Sequence, residues 1–510
     1  MKNLILLALV ASATPVAPPL PANVERALAE VRANELKGDL SFLASDVLQG
    51  RFTPSPGLEV AAEFIASKFR AAGLEPGGDH DYFQMAEMVD RRLPTMTANL
   101  TLYSGDRTFL VPAGDLAVEA TSQAAHLDRV PVVFFATKDP ALLKGADMRG
   151  KALVSVEADA RNLSGEQVRA ERRRARAFDQ AAALSGALLS LTVLHNKRTV
   201  FGPPHLLFME QATASRTPML VAPSEELAKF IAEASHEAAT ISVDIPAPFD
   251  NKVIVKNVIG VLRGTDPALA KTAVLLTAHY DHIGTVETAG QMSMQAAGDS
   301  LDRIYNGAND DGSGTVSVIE VARALSKIEP RPKRSIVFMT FFGEERGELG
   351  SQFYGKHPVF PIAQTVADLN LEQVGRTDST TGRQLSNATV TGFDYSDVTT
   401  FLTRAGERVG IKVYRDAQGS DEYFTRSDND ALAEQGVPAH TICVAFDYPD
   451  YHGLGDEWPK IDYDNMAKVD RMVLLALLDL ANTEKEPQWN AQNPKTEHFR
   501  AARAASQGGK

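Results

Sequence analysis

The chain has 510 residues, 44% of them hydrophobic, and a formal net charge of −13 at pH 7. Such a length supports sizeable cores in two or three domains, and the acidic balance argues against electrostatic capture of nucleic acid. Cys443 is the only cysteine, which excludes an intrachain disulfide framework and thiolate-based zinc sites, so any metal must be held by His, Asp and Glu.

In chain order, Met1-Lys2-Asn3 leads into the apolar run Leu4 to Val10 and the small residues Ala11-Ser12-Ala13. That pattern predicts a signal peptide within residues 1–20 and an exported protein, periplasmic or secreted. No other stretch approaches the ~18 to 20 apolar residues of a membrane span. After the linker Pro15 to Pro21, helical periodicity covers Val24 to Leu48 and Gly57 to Ala72, and short alternating runs follow from Thr97 to Asp115. A smaller β-rich insertion is expected over 125–246. It contains the strand Val130 to Phe135, whose Pro131 suits an edge or a strand start, and the turn-to-strand segment Met148 to Val156. His126, His195, His205 and His236 stand among ordinary neighbours and read as structural or surface residues. The basic block Arg169 to Arg176 reads as a solvated helix face.

From Val253 strands and helices alternate, which predicts an α/β domain with a mostly parallel central sheet flanked by helices. Expected strands are Val253 to Leu262, Thr272 to Ala278, Ser335 to Phe342, Val366 to Leu371 and Ala439 to Phe446. Expected helices are Gly314 to Ile328, Ser351 to Gly355 and Tyr395 to Val409. The main domain thus comprises 21–124 and 247–484. Residues 485–510 form a polar tail without an apolar face, read as a surface appendage or disordered.

Chemistry-bearing residues gather at the ends of these strands. Glu344-Glu345 ends the apolar run from Ser335, where an ionised carboxylate is costly unless paired or bound to metal, so one is expected to hold a metal while its neighbour moves protons. His279 ends another strand, where sites form in open α/β sheets. Asp281 is suited to orient that imidazole, with His282 a rival ligand that reads more readily as a solvated or core histidine. In Asn306-Gly307-Ala308-Asn309-Asp310-Asp311-Gly312-Ser313-Gly314, the spacing to Glu320 mimics a calcium loop, but Asn309 stands where Asp is required and no helix precedes it. The alternative makes Asp310 a bridge between two metals, with glycines allowing close backbone passage and Asp311 and Ser313 capping the next helix. Glu372 and His452 end two further strands. Oxygen and imidazole donors without thiolate suit zinc, with manganese or cobalt possible.

Taken together, HYDHIG at 279–284, GANDDGSG at 307–314, FGEERGELGS at 342–351, NLEQVGR at 370–376, SDND at 427–430, GVPA at 436–439, YH at 451–452 and SFLASDVLQGR at 41–51 resemble the M28 family of zinc peptidases. The likeness to the co-catalytic di-zinc aminopeptidases of that family implies the zinc exopeptidase fold, two Zn2+ per chain and a peptide substrate with a free N-terminus. Position by position it implies that Asp310 bridges the zincs, that His279 and Glu372 complete one site and Glu345 and His452 the other, and that Glu344 is the general base. The family often has Asp where this chain has Glu372, which bears on metal spacing and substrate preference. Residues 125–246 resemble the protease-associated domain inserted in this family, chiefly through MRGKALV. Alternatives on the same scaffold are a carboxypeptidase, a dipeptidase or a glutaminyl cyclase, and from another class a binding ectodomain that has lost its metals. Tyr423, just before SDND, is either an oxyanion donor or an aromatic packing residue.

Overall fold

The computed structural model describes residues 19–159, 165–195, 205–214, 216–234, 239–294, 298, 300–380 and 382–508. All but the last two residues of the expected leader, and His236, lie outside these. The chain divides into two compact units. One draws on Met1–Met85, Lys256–Val286 and Met292–Lys510 as far as they are described, the other on Ala86–Val255 and Glu287–Gln291. Among the described residues no helix is long and apolar enough to cross a membrane.

The first unit opens with helices α1 (Ala22–Glu30), α2 (Ala33–Leu43) and α3 (Pro56–Ala71). α3 starts where its sequence says it should: Ser55 caps the Leu58 N–H at 3.1 Å, Pro56 opens the first turn, and Lys68 and Arg70 sit in the last. Seven strands of the main sheet position the site: β1 (Phe249–Leu262), β2 (Ala273–His279), β3 (Ser335–Phe341), β4 (Thr365–Leu371), β5 (Asn387–Val390), β6 (Lys412–Tyr414) and β7 (Ala439–Cys443). Their order is β6-β5-β7-β4-β2-β3-β1. β3, β2, β4 and β7 run parallel, whereas β1 against β3 and β5 against β7 are antiparallel. Every residue of β2, β3, β4 and β7 is buried, which is why these strands read as apolar runs rather than as alternation. The longer helices that follow are α4 (Gly314–Leu325), α5 (Leu349–Lys356), α6 (Val398–Val409), α7 (Tyr463–Asn482) and α8 (Glu497–Gly508). The long helix α7 was not among the sequence expectations.

The polar tail is not an appendage. Trp489 and Phe499 are buried and stack at 4.8 Å, and Phe424 lies 5.4 Å from Phe499. The Trp489 indole donates to the Gly436 carbonyl at 2.9 Å, and Arg503 donates to the Thr365 carbonyl at 2.9 Å. Two large aromatic anchors spaced by polar residues create no apolar face in the sequence, yet they bury enough surface to dock the segment.

The second unit holds an eight-stranded sheet. It begins earlier than residue 125, because Leu100–Ser104 pairs with Ala239–Ile245 from Ser104↔Ala239 to Thr101↔Ser242. That long-range pairing outweighs the local continuity suggested by the alternating run at 97–115. The strand Ala125–Phe135 is interior rather than an edge. Pro131 sits where this strand hands over from an antiparallel partner, Ala239–Ile245, to a parallel one, Ala152–Val156, so its missing N–H falls at a break between ladders. Arg173, Arg174 and Arg176 are exposed on the helix Gly165–Leu184. His126 pairs with Asp244, and His195 lies 3.1 Å from Glu225.

Candidate metal centre

Parallel pairing places the carboxyl ends of β2, β3, β4 and β7 side by side: His279 is opposite Phe341, and Thr277 opposite Asn370. His279 ends β2. The turn after β3 presents Glu344 and Glu345, Glu372 follows β4, and His452 comes from the loop after β7. Asp310 enters from the segment before α4. Its backbone is fastened by side chains rather than by regular structure. Asp456 Oδ2 accepts the Asp310 N–H at 3.1 Å, and Asp311 accepts from Gly314 at 3.0 Å, Gln373 at 3.1 Å and His279 at 3.3 Å. A Cβ on Gly307, where φ is +55°, would collide with the Asp310 carbonyl and the His282 ring, so glycine is required at that approach.

Two groups of potential donors result, sharing Asp310. His279, Asp310 and Glu372 form one, and His282, Asp310, Glu345 and His452 the other, with the donor atoms of each group within 4.8 Å of one another. His279 Nε2 is 3.4 Å from Asp310 Oδ1, while His452 Nε2 is 3.1 Å from Asp310 Oδ2 and 3.2 Å from Glu345 Oε2. His282 Nδ1 lies 2.8 Å from Glu345 Oε1. Glu344 belongs to neither group, and its Oε2 stands 3.8 Å from His279 Nε2. His279 Nε2 is buried with no hydrogen-bond partner, an orphan that a cation between it and Asp310 would satisfy. The other nitrogen of His452 is anchored on the Met292 carbonyl at 2.7 Å, the kind of contact that orients a ligating imidazole.

The electrostatics separate the two adjacent glutamates. Burial alone would raise Glu345, but His452 and His282 hold it at about 2. Burial, with Glu372, Glu345 and Asp428 adding to it, pushes Glu344 well above the usual carboxylate range despite His279 nearby. The two neighbours are therefore driven apart, Glu345 toward the anion and Glu344 toward the protonated acid.

Several residues differ from their sequence reading. His282, read as a solvated or core histidine, is fully buried and stands within the second group. Its burial comes from tertiary packing, and only its spacing from His279 hinted at it. The nearest acceptor to His279 Nδ1 is the Asp281 carbonyl at 3.2 Å, with the Asp281 carboxylate at 3.6 Å. That carboxylate instead accepts the Glu344 N–H at 3.1 Å and the Thr53 hydroxyl at 3.1 Å, so it positions the Glu344 turn. Glu320 accepts the Arg32 N–H at 2.8 Å and pairs with Arg323 at 2.8 Å, which leaves the calcium-loop spacing without its last ligand. Tyr423 packs against Phe446 with tilted rings 4.7 Å apart and donates to Asp447 at 3.3 Å. Tyr451 was overlooked: it stacks on His452 at 4.2 Å, and burial together with Asp310, Glu345, Glu372 and Glu344 raises its phenol well above the ordinary value. Beside Glu372 a cavity of about 60 Å³ has aromatic walls in Tyr423, Phe446 and Tyr451, and Thr391, Thr441 and Cys443 also line it.

Residues 257–477 match Peptidase family M28. The chain carries a peptidase family M28 domain. The match leaves Ala86–Val255 outside, so the protease-associated reading of 125–246 rests on its sequence. A protein named leucine aminopeptidase 1 from Fusarium vanettenii is 30% identical over 226 residues, 42% of this chain and 54% of that protein. A vacuolar membrane protease from Pyricularia oryzae is 38% identical over 97 residues, 19% of this chain and 9% of that protein. The chain thus spans about half, or less, of the length of these curated relatives. An aminopeptidase from Aneurinibacillus sp. strain AM-1 shares the fold, with a TM-score of 0.58 at 19% identity over 91% of this chain and 97% of that one.

Proposed function

We propose that this M28 chain is an exported metallo-aminopeptidase that removes N-terminal residues from peptides, with two zinc ions held by His279, Asp310 and Glu372 and by His282, Asp310, Glu345 and His452. The observation that carries the reading is the pair of donor groups sharing Asp310 while Glu344 stands beside them uncommitted. Bound zinc would supply Lewis acidity toward the scissile carbonyl and the attacking water. Glu344 takes the proton from that water and returns it to the leaving amine, the role its raised carboxyl suits. Asp281 holds the Glu344 backbone in reach through the 3.1 Å bond. Tyr451 presents its phenol among the site carboxylates and is placed to donate to the developing oxyanion. The cavity beside Glu372 receives the substrate's first side chain.

The test is metal content and turnover of the purified chain and of Glu344→Gln. The wild type should hold two zincs and cleave free-amine amino-acyl anilides. Glu344→Gln should keep the zinc and lose at least ~100-fold in kcat. Loss of zinc from that variant would make Glu344 a ligand. Efficient cleavage of acetylated peptides would move the assignment to another peptidase class, and pyroglutamate formation without hydrolysis would move it to a cyclase.

A further inference from the structure

A line of hydrogen bonds runs from Glu372 back into the sheet, and its polarity can be worked out donor by donor. Ser427 donates its hydroxyl to the Glu372 carboxylate. The Asn370 amide nitrogen donates to Ser427 Oγ at 2.8 Å and to Thr441 Oγ1 at 3.0 Å. Thr441 donates in turn to Asn429 Oδ1 at 2.7 Å, and the amide nitrogen of Asn429 is engaged by the Phe424 carbonyl at 3.0 Å. Both N–H groups of Asn370 are therefore spent, which leaves its Oδ1 facing Thr277 Oγ1 at 3.0 Å. The same hydroxyl lies 2.9 Å from Asp368 Oδ1. Thr277 has a single proton for two acceptors.

An ionised Asp368 would therefore leave either itself or Asn370 Oδ1 without a donor. Asp368 is fully buried, its Oδ2 has no hydrogen-bond partner, and among the described residues no cation pairs with it. A bare anion there is the costliest arrangement available. A protonated carboxyl removes the conflict, since its O–H can donate to Thr277 while Thr277 donates to Asn370. We propose that Asp368 is held as the neutral acid and is the terminal donor of a one-way chain, Asp368 to Thr277 to Asn370 to Ser427 to Glu372, which makes Asp368, Thr277 and Asn370 positioning residues for Glu372. The direction matters: Ser427 accepts from Asn370, so its only proton is committed to Glu372. Glu372 has one more rotatable bond than Asp would have, and the chain pins its carboxylate. Burial raises the Asp368 carboxyl to about 8, in keeping with a proton held at neutral pH. The inference rests on the reading of Glu372 as a zinc ligand.

The experiment is zinc titration calorimetry of the metal-stripped full chain, with isotope-edited infrared spectroscopy of the same samples. Thr277→Val keeps the side-chain volume and cuts the chain at a distance from Glu372. It should weaken one zinc step by ~10- to 100-fold, as the loss of a ligand's supporting partner does, and leave the other step unchanged. Asp368→Asn retains an N–H donor toward Thr277 and should bind zinc as the wild type does. The infrared difference between wild type and Asp368→Asn should contain a carboxylic-acid C=O band at neutral pH. Equal weakening by both variants, unchanged binding in Thr277→Val, or a carboxylate band in place of the acid band would each overturn the proposal. Should Thr277→Val fail to fold, the infrared band and the Asp368→Asn titration still decide. A wild type that binds no zinc would remove the metal reading itself, and the infrared arm would still report where the proton resides.

Discussion

Arg51 offers the sharpest test of how the site is supported. It is fully buried, and its guanidinium donates to four backbone carbonyls: Tyr280 at 2.8 Å, Leu43 at 2.8 Å, Asn306 at 2.7 Å and Gly307 at 2.9 Å. These belong to three segments: the turn after His279, the end of α2, and the approach to Asp310. Arg51→Met removes every donor, although Gly307 keeps the Gly312 N–H at 3.1 Å. Three buried carbonyls left without a donor, at ~1 to 3 kcal/mol each, cost about 6 kcal/mol. Against that, burial outweighs the nearby carboxylates and lowers the guanidinium to about 10, a penalty of about 3 kcal/mol that Met escapes. The expected net destabilisation is about 3 kcal/mol. Arg51→Lys keeps a buried charge but offers one nitrogen where three segments need a fork, so it should be at least as damaging as Met. Urea unfolding followed by tryptophan fluorescence reads the right unit, because both tryptophans, Trp458 and Trp489, lie in it. A Lys variant as stable as the wild type, or a Met variant with an unchanged midpoint, would refute the reasoning.

Three further outcomes are expected. His282→Leu should release one of two zincs, measured as metal content after gel filtration, and retention of both would remove His282 from the ligand set. His440 is buried, donates from Nδ1 to the Thr391 carbonyl at 2.8 Å and accepts from Ser396 at 2.6 Å; desolvation lowers it to about 4 from 6.5. The unfolded chain then takes up that proton first, so stability is full above ~6.5 and falls by about 3 kcal/mol as pH drops through 4. His440→Gln should flatten the acid limb of the urea midpoint, and an unchanged limb would contradict this. Asp470 on α7, buried beside Ser317 of α4, is raised to about 8 from 3.8. Its contribution runs the other way, complete below ~3.8 and diminished by about 4 kcal/mol by pH 7. Asp470→Asn should therefore stabilise the chain more at pH 8 than at pH 5, and an equal gain at both values would show that the carboxyl is not the cause.

How much of this was legible in the sequence depended on the kind of burial involved. β2, β3, β4 and β7 were visible because strands covered on both faces leave uninterrupted apolar runs, and the residues that follow such runs stand at the sheet's carboxyl edge. That is enough to bring His279, Glu344, Glu345 and Glu372 to one edge without knowing the strand order. The order itself, and with it the grouping around Asp310, depends on pairings between segments up to a hundred residues apart, for which no local pattern exists. The placement of His282 beside Asp310 and Glu345 was not legible for the same reason, since nothing in Asp281-His282-Ile283 reveals that Gly307 packs against its ring.

The signal that went unused was the polar exceptions inside the buried strands. Thr277 interrupts Ala273 to His279, and Asp368 and Asn370 interrupt Thr365 to Leu371. In a strand buried on both faces each such residue must find a partner or carry a desolvation cost of several kcal/mol, about 2 to 7 for an unpaired polar group. Two adjacent strands carrying polar residues at facing positions, as the Thr277↔Asn370 register places them, therefore call for a network rather than for isolated tolerances. The same logic explains why Arg51 and Asp311, the two residues that fasten the most backbone around the site, stand in short motifs and not in any periodic pattern. The site is assembled where regular structure ends, so its backbone groups must be satisfied by side chains, and those side chains must be polar, buried and out of period.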